Sequence, residues 1–183
     1  MNDQRSKLAN LFPPRPRCPR NYQYTSISEL YDKFRRELQD KAFLDPLGRD
    51  NFFRERSFPH LIKLEYFDRK QSRWVDAVAR YAMEQLRSGT FDESRYRIGD
   101  RSRPRSLFWS PEIITTPDDI HPNKRNRNGE VYAKRYLRTG GGASLKLVLV
   151  ETDKVGDRAI FTTFWSEEEY HARCIAHPAR YRK

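Results

Sequence analysis

The sequence predicts an α+β chain: N-terminal helices, then a small antiparallel β-sheet, then a short C-terminal helix. Ser26 and Glu29 stand at capping-box spacing ahead of a helical run of apolar residues. Three strand-like segments follow one another between Glu130 and Trp165. Glycine-bearing turns at Gly140-Gly141-Gly142 and Gly156-Asp157 separate them, and turns that short favour an antiparallel meander.

Each element can be justified in order. Residues 1–24 read as a basic tail, because Pro13, Pro14, Pro16 and Pro19 alternate with Arg15, Arg17 and Arg20 and deny the backbone helical donors. One domain over 25–183 follows. Its first helix starts at Ser26 and carries Ile27, Leu30, Tyr31, Phe34 and Leu38 on one face, and Pro46 and Gly48 end the region. The apolar run Arg56 to Glu65, with His60 inside it, reads as a short strand or extended lead-in. A second helix is predicted from Ser72, with Trp74, Val75, Val78, Tyr81, Ala82 and Leu86 on one face and Gly89 as its stop. Arg95 to Arg105 reads as an arginine-rich loop. Ser110-Pro111 opens a short helix over Glu112 to Thr115, and Asp119 to Gly129 reads as a loop. The three strands span Glu130 to Leu137, Leu145 to Glu151 and Ala159 to Trp165, and Ser166 with Glu169 caps a last helix ending near Ala176.

A net charge of +11 on 183 residues, with a pI near 9.8, points to a polyanionic partner. No apolar run reaches the length needed to span a bilayer, and no secretory signal is visible, so no membrane partner is expected. Cys18 and Cys174 are the only cysteines, which fits a reducing, cytoplasmic setting and offers no Cys–Cys zinc spacing. The glycines at 140–142 match neither a P-loop nor a dinucleotide fingerprint. Neither a cofactor nor a metal is expected.

Alternation along the first strand puts Val131, Ala133, Arg135 and Leu137 on one face and Tyr132, Lys134 and Tyr136 on the other. A lysine between two tyrosines suits a nucleic-acid strand, the ammonium meeting phosphate and the rings stacking on bases. The same pattern also occurs on an ordinary solvated strand face. Cleavage of RNA without a metal needs a group that moves a proton from the ribose 2′-hydroxyl and cations that face the charge on phosphorus. His60 or His121 fits the first role, and Lys134 with the arginines fits the second. Lys124, Arg125, Arg127, Arg135 and Lys146 offer further phosphate contacts, while His171 and His177 read as surface residues.

Six segments, in order, carry a resemblance: Phe58-Pro59-His60-Leu61-Ile62-Lys63-Leu64, Leu107-Phe108-Trp109, Asp119-Ile120-His121-Pro122-Asn123, Glu130-Val131-Tyr132-Ala133-Lys134-Arg135-Tyr136, Leu145-Lys146-Leu147-Val148 and Phe161-Thr162-Thr163-Phe164. Together, over about 58–166, they resemble the phage-type branch of the barnase–EndoU–colicin–RelE superfamily of nucleases. The resemblance implies helices followed by a small antiparallel sheet, and metal-independent RNA cleavage that leaves a cyclic phosphate. Carried over by position, it implies His60, Lys134 and Thr162 as catalytic residues, with Thr163 as the alternative hydroxyl and His121 as the alternative histidine. The expected partner is RNA, with an inhibitor or immunity protein as a second. The rival readings are a non-catalytic RNA-binding module and a basic interaction domain of a phage or toxin system.

Overall fold

Helix α1 (Ile27–Glu37) begins where the capping signal places it, with the Ser26 side chain accepting from the Glu29 amide at 3.0 Å. Glu29 in turn accepts from the Thr25 amide and hydroxyl. Ile27, Leu30, Tyr31 and Phe34 are buried. Burying each such side chain contributes about 1.5–3 kcal/mol of transfer free energy. The structure is a computed structural model that describes residues 22–137, 143–152, 156–166, 171–173, 175 and 178–183, without the side chains of 143 and 161–166. Of the expected basic tail, only residues 22–24 are described, and Tyr22 and Tyr24 pack against the core.

The arrangement differs from helices followed by a small sheet. The main sheet is seven-stranded, in the order β1 (Ala42–Leu44), β2 (Asp50–Phe52), β9 (Arg158–Ser166), β8 (Ala143–Thr152), β7 (Gly129–Leu137), β6 (Asp119–Pro122), β10 (Tyr181–Arg182), and a second, three-stranded sheet has the order β4 (Arg73–Asp76), β3 (Leu64–Asp68), β5 (Tyr96–Ile98). Strands therefore come between and after the helices, in a mixed α/β architecture. Hairpin β1 (Ala42–Leu44) and β2 (Asp50–Phe52) forms where the sequence shows only a helix end, and β2 pairs in parallel with β9 (Arg158–Ser166) through Phe52 and Ala159. The meander is present as expected: β7 (Gly129–Leu137), β8 (Ala143–Thr152) and β9 pair antiparallel in sequence order. It is extended by β6 (Asp119–Pro122), in the segment that reads as a loop, and by β10 (Tyr181–Arg182).

Other expectations are corrected locally. Phe58–Leu61 is helix α2 rather than a strand; a 3-10 turn leads into it, Pro59 sits in its first turn, and Lys63 at φ 55° ends it. From Ser72 the chain forms a hairpin, β3 (Leu64–Asp68) and β4 (Arg73–Asp76), before helix α3 (Ala79–Ser88). The cause is Asp68, whose Oδ1 accepts from the amides of Lys70 and Gln71 and closes a turn ahead of Ser72 at φ 49°. Gly89 caps α3 in the left-handed region, as expected. The arginine-rich stretch holds β5 (Tyr96–Ile98) and α4 (Ser102–Leu107), followed by α5 (Ser110–Thr115). The predicted C-terminal helix falls mostly outside the described residues, with 171–173 helical.

The main core lies between the helices and one face of the large sheet, where Tyr132, Tyr136, Val148, Val150 and Ile160 meet residues of α1 to α5. A smaller cluster of Val131, Ala133, Leu145 and Leu147 covers the other face. Among the described residues no helix is long and apolar enough to cross a membrane.

Candidate functional site

Strands β7 and β8 place Lys134 directly opposite Lys146 on the helix-covered face of the sheet. Both are buried, Lys134 at 6% exposure and Lys146 at 0%. Helix α4 meets Lys146 through the Ser106 hydroxyl, itself buried. Lys134 is held by Glu112 Oε1 of α5 at 2.9 Å and by the Thr116 hydroxyl at 2.6 Å. Burial lowers the Lys146 pKa to about 7; Asp100 pulls it upward and Arg103 pushes it further down. A lysine of this kind inside a fold makes its surroundings a candidate functional site.

Arg103 is the neighbour that Lys146 shares with His60. Its Nη1 donates to the His60 carbonyl at 3.2 Å, and its Nε forms an ion pair with Asp100 Oδ2 at 3.5 Å. His60 is exposed on α2. Desolvation by its packed surroundings lowers its pKa, and Arg103 adds to the effect, so the imidazole is neutral at pH 7. On the other flank of α4, Arg97, Arg101, Arg105, Gly99 and Tyr24 line a groove of about 700 Å³. Its acidic member, Glu93, is engaged with the Ile27 and Ser28 amides at the start of α1.

The remaining candidates are dispersed. Tyr132 and Tyr136 are fully buried and belong to the main core, so neither presents a ring face to a base. The Tyr132 hydroxyl donates to Asp45 at 2.5 Å and accepts from Arg49 at 3.0 Å and Arg158 at 2.8 Å. Glu130 completes this network, meeting Arg49, Arg158 and Arg180. Lys124, Arg125 and Arg127 are exposed in the turn between β6 and β7, and Arg127 borders a cavity of about 360 Å³ with Arg158 and Arg180. Thr162 pairs in register with Leu149, and Thr163 with Val148; their side chains lie outside the description. His177 is also outside it.

His121 does not join Lys134. It pairs in register with Val131, and Asp119 with Ala133, which puts both on the opposite face of the sheet from the two lysines. There His121, Asp119 and His171 are buried together, with one ligand-type atom of each within 4.8 Å of the others. His171 is thus not the surface residue its sequence context suggests. Arg135 joins them, donating from Nη1 to Asp119 Oδ2 at 2.9 Å. The visible signal for this set was the Asp-x-His spacing on what proves to be a strand; nothing local pointed to His171. Compared with family models, curated proteins and solved structures, the chain matches none.

Proposed function

We propose that the chain is a metal-independent endoribonuclease whose working surface is α2 and α4, with His60 moving the proton. The observation that carries this is the position of Arg103, bound to the His60 carbonyl and adjacent to a buried lysine of near-neutral pKa. A neutral imidazole accepts the 2′-hydroxyl proton as the oxygen attacks phosphorus. Arg103, whose Nε also stands 3.5 Å from the Asp100 carboxylate, faces the charge that develops there. The imidazolium returns the proton to the departing 5′-oxygen, leaving a cyclic phosphate and a 5′-hydroxyl. Arg101 and Arg105 hold the flanking backbone in the groove beside α4. Lys146 is a positioning residue in this scheme, because Ser106 seals it from solvent while fixing α4. The role expected of Lys134 passes to Arg103, since Glu112 and Thr116 engage Lys134.

The second reading is an RNA-binding module without chemistry, and the groove lined by Arg97, Arg101 and Arg105 favours it. The deciding experiment is incubation of purified protein with RNA and sequencing of the product ends. Cyclic-phosphate ends, reduced about 10²–10⁴-fold in His60→Ala with RNA affinity retained, support the nuclease. Binding without cleavage supports the module. Absence of RNA affinity at low salt, where phosphate contacts are strongest, removes both.

A further inference from the structure

We infer that Asp119, His121 and His171 bind one divalent ion of the zinc class, and that this ion fastens the C-terminal segment to the main sheet. The donor set is two imidazole nitrogens and one carboxylate oxygen, which suits Zn²⁺ and leaves a fourth position for water. All three residues are buried, at 6%, 4% and 4% exposure.

The spacing separates an ion site from a simple hydrogen-bonded cluster. His121 Nε2 lies 3.5 Å and His171 Nε2 lies 3.4 Å from the same oxygen, Asp119 Oδ1. A charge-assisted N–H···O bond would bring such atoms to about 2.7–2.9 Å. Two ligands of one tetrahedral zinc, each about 2.0–2.1 Å from the metal, stand about 3.3–3.4 Å apart. The observed distances match the second case. Asp119 Oδ1 is buried and accepts no hydrogen bond from a described residue, although its sister oxygen is occupied by Arg135. That guanidinium orients the carboxylate in the way outer-shell groups do around bound metals.

Topology explains what the ion would accomplish. Asp119 and His121 stand two apart on β6 and share a face. His171 arrives from the C-terminal segment, which reaches β6 again through the Asn123–Ile175 bridge, through β10, and through the Arg180 amide on the Ile120 carbonyl at 2.8 Å. An ion at this point ties residues 171–182 to the sheet. It lies on the face away from Lys134 and Lys146, so it is independent of the proposed cleavage chemistry. Cys174, three residues beyond His171 in the sequence, lies outside the described residues and is not counted among the ligands.

The test is titration of the chelator-stripped full chain with Co²⁺ alone, followed by visible absorption, and then with Zn²⁺. Saturation at one Co²⁺ per chain with tetrahedral d–d bands, and displacement by Zn²⁺, is the expected result. His121→Gln and His171→Gln, each shown folded by circular dichroism, lower the affinity by more than about 100-fold, beyond the 10–100-fold typical of outer-shell changes. His60→Gln leaves it unchanged. If the ligand variants do not fold, hydrogen exchange on the wild-type chain replaces them, with Zn²⁺ increasing protection over 171–183. No metal uptake by the wild-type chain, undiminished uptake in both folded variants, or unchanged exchange over 171–183 overturns the inference.

Discussion

Lys134 and Lys146 face each other across β7 and β8, and each is secured by a different helix, Lys146 by Ser106 of α4 and Lys134 by Glu112 of α5. Like charges directly opposite in a ladder repel. The two sites differ: the Lys134 ammonium keeps a carboxylate partner, and burial, rather than the opposing lysine, lowers the Lys146 pKa to about 7.

Lys146 therefore makes stability depend on pH. Its folded pKa of about 7 lies below the ordinary lysine value of 10.5, so between these values the unfolded chain binds more protons and stability rises with pH. The burden is fully present below about pH 7 and is relieved toward pH 10.5. Lys146→Met is expected to gain stability on the order of a few kcal/mol at pH 6, with the gain shrinking at pH 9.5. Urea denaturation of both proteins at the two pH values checks this, and an equal difference at both refutes it.

Glu112→Ala is expected to destabilise more than Lys134→Met. Removing the carboxylate leaves a buried ammonium without its charge partner, whereas replacing the lysine removes the charge itself. Glu112 is 43% exposed, so water screens part of the loss, and about 1–2 kcal/mol is expected rather than the 3–5 kcal/mol of a fully buried pair. The midpoints of chemical denaturation give the ranking directly.

The network around Glu130 predicts sensitivity to acid. Burial alone would raise the pKa of Asp45 and Glu130, but the Tyr132 hydroxyl and Arg49 for Asp45, and Arg49 with Arg158 for Glu130, outweigh it and hold both low. Their stabilisation is present above the unfolded values of 3.8 and 4.5 and is lost as pH falls through the lower folded values. Thermal melts are expected to drop steeply below about pH 4 in the wild type and less so in Glu130→Gln. Tyr132→Phe, which takes a hydroxyl from three charged partners, is expected to cost about 1–3 kcal/mol at pH 7.

RNA affinity is expected to depend on Arg101 and Arg105 through charge. Each alanine substitution should weaken binding across sequences and reduce the slope of log K against log salt by about 0.7 for a single strand. Binding measured between low and moderate salt tests this; an unchanged slope in both variants places the RNA elsewhere.

Much of the local structure was legible in the sequence. The Ser26 cap and the apolar spacing behind it locate α1, and glycine turns between alternating segments locate β7 to β9. What was not legible depends on partners distant in the chain. β1 and β2 have three residues each, too few to show a period. Trp74 and Val75 fit a helical face as well as a strand, and only the Asp68 turn decides between them. Alternation on β7 gives two faces but not what covers them, so Tyr132 and Tyr136 read as a stacking platform although helices pack over both. Arg103 was legible only as one of several loop arginines; its contact with the His60 carbonyl, 43 positions away, was not legible, nor was the approach of His171 to Asp119.

The contact between β2 and β9 sets the order in which the chain can assemble. Arg158 reaches Asn51 across 107 positions, and Phe52 sits beside Ala159. During synthesis the N-terminal hairpin leaves the ribosome long before the strand it pairs with, so one flank of β2 waits open while most of the protein is made. Such distant pairing slows folding, and an open strand edge recruits other chains. The short length of β2 is thus itself a safeguard, because three residues offer little edge for a neighbouring nascent chain to join.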